Sequence, residues 1–196
     1  MRFVGDHVGA VGEQQQGSAA AMALRAAVPA DVPALQALIA ASARGLGQGF
    51  YTPAETEAAI AHVFGVDSEL IADGTYLVAE RDGRLLGCGG WSMRPTLFGG
   101  DQYAGRGQGK LDPATQPAKI RAFFVSPLAA RQGVGAALLA ACEAAARAAG
   151  FTRTELMATL PGQPFYAVNG YRPDAAVVLD LGGVPVRFVP MRKLLA

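Results

Sequence analysis

The sequence predicts a mixed α/β fold, because strand-like and helix-like patterns alternate along most of its 196 residues. Residues 119–158 read as a strand, a glycine-containing turn, a long helix and a second strand, which is the kind of crossover that parallel strands require. Two other pairs of strand-like segments surround Asp82-Gly83 and Gly182-Gly183, dipeptides typical of tight hairpin turns. Parallel and antiparallel neighbours are therefore both expected.

The composition favours a well-packed domain without a polyanionic partner. Hydrophobic residues make up 51% of the chain and charged residues 17%, which argues for a buried core and against disorder. The net charge of +1 supplies no overall field to attract nucleic acid or an anionic membrane. No run of about 18 apolar residues is free of charge; the nearest, 133–150, contains Glu143 and Arg147. Neither nucleic acid nor a membrane is expected as a partner.

The two cysteines and the first residues bear on the expected location. Cys88 and Cys142 are too far apart for a metal motif, so no metal is expected and a reduced, cytoplasmic protein is favoured. A single disulfide between them stays open. Residues 1–21 contain scattered glycines and the run Gln14-Gln15-Gln16, without the pattern of a signal peptide. We interpret them as a flexible tail before a single domain at residues 22–196.

The first third of the domain reads as a strand and two helices. Residues 22–28 form a short apolar strand, and Asp31 can cap a helix that places Leu35, Leu38 and Ile39 on one face. Thr52-Pro53-Ala54-Glu55 is a capping box with proline at the first helical position, so a second helix is expected to run from there through residue 63. The glycine-rich segment 45–51 connects the two helices.

The middle third reads as three strands with one long connection. Residues 76–81 and 85–93 pair across Asp82-Gly83, and residues 119–125 form a third strand. Between them, residues 95–117 are rich in glycine and polar side chains. Loops of this length are usually lids, binding loops or disordered segments.

The last third alternates helices and strands. A long helix covers residues 133–149, a strand 154–158, and a short helix 161–169 that Gly170 ends. Two final strands, 176–181 and 184–191, are joined at Gly182-Gly183. The expected total is about seven strands and about four helices, counted from these hydrophobic patterns and turn signals.

The segment with the clearest chemistry joins the third strand to the long helix. Gly133 and Gly135 open that helix, where the first backbone N–H groups have no internal partner and lie at the positive end of the helix dipole. Such a turn can cradle a phosphate. It lacks the Gly-Lys-Ser/Thr of a P-loop, and Leu138 stands where a dinucleotide fingerprint has its third glycine. From these residues alone, close strand–helix packing remains an equal explanation of the glycines.

Two spaced motifs carry a family resemblance. Val125-Ser126-Pro127 followed by Arg131-Gln132-Gly133-Val134-Gly135-Ala136 resembles motif A of the GCN5-related N-acetyltransferases (GNAT family), which binds the pyrophosphate of acetyl-CoA. Pro164-Phe165-Tyr166-Ala167-Val168-Asn169-Gly170-Tyr171 resembles the family's F-Y-x-x-x-G-F/Y segment. The order of elements from residue 22 onward also matches the family, over about nine tenths of the chain, which is one domain of ordinary size.

The resemblance implies a fold and a reaction. The fold would be a mixed, mostly antiparallel sheet with a splayed pair of parallel strands at the cofactor site. The reaction would be direct transfer of an acetyl group from acetyl-CoA, as co-substrate, to an amine. The residues that would bind the cofactor are Phe124, Val125, Ser126, Arg131, Gln132, Gly133, Val134, Gly135 and Ala136.

One position departs from the family pattern. Ala130 stands three residues before Gly133, where the family has glutamine or arginine, and Arg131 and Gln132 are displaced from that place. This departure keeps a second hypothesis open, a CoA-binding or acyl-CoA-binding module without transferase activity. A nucleotide-binding α/β protein is a third reading, and O-acetyl transfer on the same scaffold also remains open.

Tyr166 matches the family tyrosine that points at the CoA sulfur, and we expect it to act as the general acid. A phenol, with an ordinary pKa near 10, can protonate a departing thiolate. Its other explanation is packing or hydrogen bonding. The general base is not determined: Glu80, Glu155 and His62 are candidates, and a base can also act through one water.

The acceptor is expected to meet the two variable loops. These are the segments 46–51 and 96–115, and Tyr51, Trp91 and Tyr103 are candidates for an aromatic wall, with Trp91 equally a candidate for the core. No acidic cluster indicates a polyamine. A small-molecule amine is the expected acceptor, and a homodimer is expected because many relatives dimerise.

Overall fold

The computed structural model describes residues 21–195, in which one eight-stranded sheet has the order β1-β2-β3-β4-β5-β8-β6, with β7 paired to β8. The strands are β1 (Ala23–Ala26), β2 (Tyr76–Arg81), β3 (Arg84–Ser92), β4 (Ala118–Val125), β5 (Arg153–Thr159), β6 (Arg172–Pro173), β7 (Val177–Leu181) and β8 (Val184–Leu194). The helices are α1 (Val32–Leu46), α2 (Pro53–His62), α3 (Ser68–Ala72), α4 (Val134–Ala148) and α5 (Gln163–Val168). Residues 1–20, which hold almost all of the expected tail, lie outside the described part of the chain.

The predicted fold class is confirmed. Only the β4–β5 pair is parallel among the strand pairs of residues 21–195, and both hairpins form where their glycine turns were predicted. The structure adds two short elements to the expected order, α3 and β6. Asp67 caps α3 by accepting a hydrogen bond from the Leu70 N–H at 3.3 Å. Neither element is long enough to show a hydrophobic period in the sequence.

Helices cover both faces of the sheet. Val78 and Ala79 are neighbours on β2, so their side chains lie on opposite faces. Val78 packs in a cluster with Leu35 and Ile39 of α1, whereas Ala79 packs in another with Val134 and Leu138 of α4. The chain after β4 therefore crosses to the α4 face before it returns as β5.

Three glycines of β3 let neighbouring groups approach this strand closely. A Cβ atom at Gly87 would lie 2.8 Å from the Val134 side chain of α4, and one at Gly89 would lie 2.5 Å from the Phe123 ring. At Gly90 it would lie 2.7 Å from Leu70. Distances below about 3 Å are clashes, so β3 serves as a thin central strand over which side chains of β2, β4 and α4 pack.

A buried ion-pair network holds the long connection between β3 and β4. The Arg121 and Asp67 side chains pair with both fully buried, and Arg106 from the loop donates to Asp67 at 2.8 Å and to Glu69 at 2.6 Å. Arg121 also donates to the Thr96 carbonyl at 3.2 Å. These charge-assisted bonds satisfy groups that would be costly to bury alone, so the loop is packed against α3 and β4.

No helix within residues 21–195 has the length and apolar character needed to cross a membrane.

The close approach at Gly89 leads to a stability prediction. We expect Gly89→Ala to lower the free energy of unfolding by about 1–3 kcal/mol, because the new methyl group overlaps the Phe123 ring. Urea denaturation measures the change. In a Phe123→Ala background the same substitution should cost much less, since the overlapping ring is gone. An equal cost in both backgrounds would contradict the packing described.

Candidate functional site

Strands β4 and β5 separate after two residue pairs. They pair only at Ala118 with Thr154 and at Lys119 with Glu155, although β4 continues to Val125 and β5 to Thr159. We call the space between residues 120–125 of β4 and 156–159 of β5 the β4–β5 gap. The first four residues of β4 are buried and the last four only half-buried, although β4 is an interior strand. The gap therefore opens at the carboxyl ends of the two strands.

A β-bulge shapes the β4 side of the gap. Cys88 of β3 faces Phe124, and Gly90 faces Arg121, so Gly89 alone faces both Ala122 and Phe123. Ala122 has φ of +54°, a left-handed conformation that a residue with a Cβ atom rarely adopts. The bulge turns the backbone of β4 at the place where its partner strand departs.

The two phenylalanines at the end of β4 pack in different clusters. Phe123 packs with Tyr166 of α5 at a ring-centroid distance of 6.4 Å, and Phe124 packs edge-on against Phe64 at 5.4 Å. The Val125 N–H donates to the Ser42 hydroxyl of α1 at 3.3 Å, and the Ser126 N–H donates to the Leu86 carbonyl at 2.8 Å. Phe124 and Val125 at the end of β4, and Ser126 directly after it, are half-buried beside the opening of the gap.

The glycine turn leads directly from this mouth into α4. Arg131 and Gly133 have φ of +64° and +82°, and Gly133 is the N-cap of the helix with no side chain capping it. Among residues 21–195, the first N–H groups of α4 therefore have no side-chain acceptor, and they lie at the positive end of the helix dipole. Arg131, Gln132, Gly133 and Ala136 are exposed around them.

The side chains of this turn differ in what they can offer a ligand. Gln132 donates its amide to the Leu128 carbonyl at 2.9 Å, so it braces the turn itself. Val134 is buried in the core, in a cluster with Ala79 and Leu138. A Cβ atom at Gly135 would lie 3.3 Å from the Phe165 ring, which puts α5 next to the start of α4. The Arg131 guanidinium makes no ion pair or hydrogen bond with the rest of residues 21–195.

Tyr166 lies between α5 and the gap. Its ring contacts those of Phe123, Phe165 and Tyr171, and the residue is 8% exposed. Within the described chain its hydroxyl makes no hydrogen bond, but the oxygen is not sealed from solvent as the unpartnered Thr75 hydroxyl is. Burial and the nearby Cys142 thiol raise the pKa of Tyr166 above its ordinary value, so the phenol keeps its proton at neutral pH.

The three candidate bases do not meet at the gap. Glu80 pairs with Arg25 at 3.0 Å on the far strands β1 and β2, and Glu155 pairs with Lys119 at the closed end of the gap. His62 packs against the turn at Gly182, where a Cβ atom would lie 2.8 Å from its Nε2. Each of these groups therefore has a structural role in the described residues.

Tyr51 and a recess lie beside Leu160, the residue that follows β5. The Tyr51 hydroxyl accepts a hydrogen bond from the Leu160 N–H at 3.0 Å and donates one to the Arg187 carbonyl at 2.7 Å. Burial raises the pKa of Tyr51 to about 12. A recess of about 340 Å³ lies beside Leu160, with Glu55 and Arg187 among its lining residues. Tyr51 thus fixes the connection between α1 and α2 against both β5 and β8.

The aromatic wall expected from the sequence forms only in part. Tyr51 and Tyr103 pack in the same cluster, around Phe188. Trp91 is 6% exposed in a different cluster and packs edge-on against Phe151 at 6.1 Å, so it belongs to the core. A half-open cavity of about 530 Å³ lies between α1 and α2, where Ile39 and Phe64 line its apolar side and Gln36 and Asp101 part of its polar side.

Neither a metal site nor a disulfide is present in the described part of the chain. No three His, Cys, Asp or Glu residues come together there in a way that could hold a metal ion. Cys88 and Cys142 are both buried and free, which settles the disulfide that the sequence left open. Asn169 ends α5, and its amide donates to the Phe165 carbonyl at 2.8 Å.

Sequence reasoning missed three residues of this region. They are Ser42, which bonds the Val125 N–H; Ala122, which bulges; and Tyr76, whose hydroxyl lies 3.3 Å from the Ala122 carbonyl. None is part of a recognisable motif, and an alanine is an unusual residue at positive φ. The three glycines of β3, Gly87, Gly89 and Gly90, were the one available signal that large side chains cross this strand.

Three solved structures share the fold. A GCN5-related N-acetyltransferase from Rhodopseudomonas palustris is 22% identical with a TM-score of 0.67, covering 91% of this chain and 98% of that chain. The PaiA N-acetyltransferase of Thermoplasma acidophilum, solved with coenzyme A, is 17% identical with a TM-score of 0.59. The match covers 89% of this chain and 99% of that chain. N-acetylglutamate synthase of Neisseria gonorrhoeae, solved with coenzyme A and N-acetyl-glutamate, is 19% identical with a TM-score of 0.54, covering 91% of this chain and 36% of that chain.

A comparison with family models identifies the chain directly. No curated protein sequence matches it significantly. The model of the Acetyltransferase (GNAT) family, however, matches residues 40–171, which is more than half of the chain and includes β4, the glycine turn, α4 and Tyr166. The chain belongs to the GNAT family of acetyltransferases.

Proposed function

We propose that this protein is an acetyl-CoA-dependent N-acetyltransferase that transfers the acetyl group directly to the amine of a small molecule. The observation that carries the proposal is the meeting of three features at one place: the open edge of β4, the start of α4 that no described side chain caps, and the Tyr166 hydroxyl, which has no hydrogen-bond partner within residues 21–195. Together they offer backbone donors for an acyl oxygen, a positive site for phosphates, and a proton.

The residues at the turn fit the co-substrate. Gly133 occupies a left-handed position, and Gly135 leaves room between α4 and the Phe165 ring. The N–H groups of residues 133–136 would hold the pyrophosphate, because a helix N-terminus is a ready anion site. The Arg131 guanidinium would add charge to a phosphate, and Gln132 would act indirectly by bracing the turn through Leu128. Backbone amides can therefore replace the side chain that Ala130 lacks.

The end of β4 would hold the reacting group. Acetyl-CoA supplies an activated acetyl thioester when bound. The half-buried residues Phe124, Val125 and Ser126 line the place where its carbonyl would lie. Backbone N–H groups at the unpaired edge of β4 would stabilise the negative charge that develops on the carbonyl oxygen, as donors in a sheltered site do.

Tyr166 would donate the proton that the departing thiolate needs. The raised pKa of this phenol keeps it protonated at neutral pH, and no protein acceptor within residues 21–195 competes for its hydrogen. The phenol is therefore protonated and available beside the thiolate, although its raised pKa makes it a weaker acid than an ordinary phenol.

The incoming amine must reach the gap in its neutral form. Glu80 and Glu155 pair with basic side chains, and His62 lies against the turn at Gly182, so we propose that the amine loses its proton to water at the mouth of the gap. The recess beside Leu160 directly follows β5, and its volume of about 340 Å³ suits a small molecule better than a folded protein. The free thiols of Cys88 and Cys142 support the expected reducing, cytoplasmic setting.

A CoA-binding module without transferase activity is the second candidate. The observation that favours it is the absence of a free carboxylate or histidine among the described residues that line the gap. The two candidates differ in turnover, because only the transferase releases free CoA thiol in the presence of an amine.

The role of Tyr166 can be tested by removing its hydroxyl. We expect Tyr166→Phe to lower kcat about 100-fold or more while the Kd for CoA changes less than about threefold, because general acid catalysis acts in the transition state. Thiol release from acetyl-CoA and calorimetric titration with CoA measure the two quantities.

The matched control for this variant is Tyr171→Phe. Tyr171 is also a buried tyrosine, but its hydroxyl is already occupied by Thr154 at 3.0 Å. The Tyr171→Phe variant should lose stability and keep most of the native kcat. Equal turnover by Tyr166→Phe and the native protein would overturn the assignment.

The pH dependence provides an independent test. The acid must be protonated to work, and the raised pKa of Tyr166 moves the falling limb of the rate profile above about pH 10. We therefore expect kcat/KM to rise from about pH 6 as the amine loses its proton and to show no decline below about pH 10. A decline centred near pH 8 that Tyr166→Phe abolishes would contradict the raised pKa.

A further inference from the structure

The bulge in β4 places an alanine in an unfavourable conformation. Ala122 has φ of +54°, a value that glycine or asparagine adopts more easily than alanine. Residues in such conformations persist where the surrounding structure holds them, and they cluster at functional sites. The groups that contact the Ala122 peptide must therefore hold this conformation, and the peptide borders the β4–β5 gap.

Two buried donors surround the Ala122 carbonyl. The Tyr76 hydroxyl lies 3.3 Å from it, and the Cys88 Sγ lies 3.7 Å from the same oxygen. The hydroxyl and the Sγ are themselves 3.3 Å apart, so the three atoms form a closed group. Tyr76 and Cys88 are both 0% exposed. Burial raises the pKa of the Cys88 thiol to about 12 and the pKa of Tyr76 as well, so both groups keep their hydrogens.

The Tyr76 ring must cross a whole strand to reach this carbonyl. Tyr76 lies on β2 and pairs with Gly90 of β3, whereas Ala122 lies on β4. A Cβ atom at Gly90 would lie 3.2 Å from the Tyr76 ring. The glycine thus leaves the space through which the ring passes, and the long side chain connects two strands that are not neighbours.

Holding the Ala122 carbonyl in one orientation also sets the orientation of the Phe123 N–H. The peptide between Ala122 and Phe123 is planar and trans, so its C=O and N–H point in opposite directions. Tyr76 belongs to the cluster packed under α1, and the Phe123 side chain packs with Tyr166 on the α4 face. Holding the carbonyl toward Tyr76 therefore directs the Phe123 N–H away from that cluster.

We propose that Tyr76 is a positioning residue for acyl transfer: by holding the Ala122 carbonyl it sets the bulge, and through the bulge it orients the backbone donors of β4 that border the gap. The inference rests on the proposed function, since it assigns these donors to the acyl group. Tyr76 is fully buried in the cluster under α1, and its hydroxyl reaches the gap through the Ala122 carbonyl.

The kinetic test is Tyr76→Phe, which removes one oxygen and retains the ring. We expect kcat to fall about tenfold while KM for acetyl-CoA and Kd for CoA stay within about twofold, because a misdirected donor weakens transition-state stabilisation rather than ground-state binding. An unchanged kcat overturns the proposal. The double variant Tyr76→Phe/Ala122→Gly should recover most of the loss, because glycine adopts positive φ without a Cβ clash. Failure to recover also counts against it.

A stability-matched control separates positioning from simple destabilisation. Thr154→Val removes a different buried hydroxyl hydrogen bond, the one to Tyr171 at 3.0 Å, at the closed end of the gap. We expect it to lower the unfolding temperature as Tyr76→Phe does, with kcat unchanged within about twofold. If kcat falls equally in both variants, Tyr76 has only a structural role.

A readout without turnover distinguishes failure of this proposal from failure of the proposed function. In protein labelled with ¹⁵N, we expect Tyr76→Phe to shift the amide signal of Phe123, because the hydroxyl that holds the Ala122 carbonyl of the same peptide is gone, while amide signals of β7 and β8 keep their positions. Native protein that transfers no acetyl group to any amine would refute the proposed function. An unchanged Phe123 amide signal in Tyr76→Phe would refute the positioning role in either case.

Discussion

The separation of β4 from β5 is the constraint on which the rest of the site depends. Only two residue pairs join the strands, after which the backbone of β4 turns through the bulge at Ala122. A parallel sheet normally satisfies its interior backbone groups by continuous pairing. Here the edge of β4 is left unpaired by β5, with the uncapped start of α4 beyond one end and Tyr166 beside it. A single departure from regular pairing thus creates both a space and the donors that line it.

Packing on both faces of the sheet maintains this opening. On the α1 face, Tyr76 holds the Ala122 carbonyl and Ser42 holds the Val125 N–H. On the other side, Tyr51 ties the end of β5 to β8 through one hydroxyl that both accepts and donates. The buried pair of Arg121 and Asp67 holds β4 immediately before the bulge. Rigid elements on each side thus keep the gap from closing, as a preorganised site requires.

The sequence predicted the larger elements well because their signals are local. The capping box at Thr52 and the turn at Gly182-Gly183 appear where expected, and the glycine turn before α4 identified the family. The Tyr76 contact and the Arg121–Asp67 ion pair were beyond reach, since they join residues 46 and 54 positions apart that share no pattern. The bulge was beyond reach as well, because it depends on the pairing of two strands that a long loop separates. Trp91 shows the same limit: strand alternation alone does not tell which face of a two-sided sheet borders a site.

The most direct test of the account is the position at which CoA binds. Titration of CoA into ¹⁵N-labelled protein should shift the amide signals of residues 122–126 and 131–136 and those around Tyr166, because the account places the thioester at the open edge of β4 and the pyrophosphate at the start of α4. Shifts confined to the cavity between α1 and α2, near Ile39 and Phe64, would contradict it. An absence of shifts at the glycine turn under saturating CoA would contradict it equally.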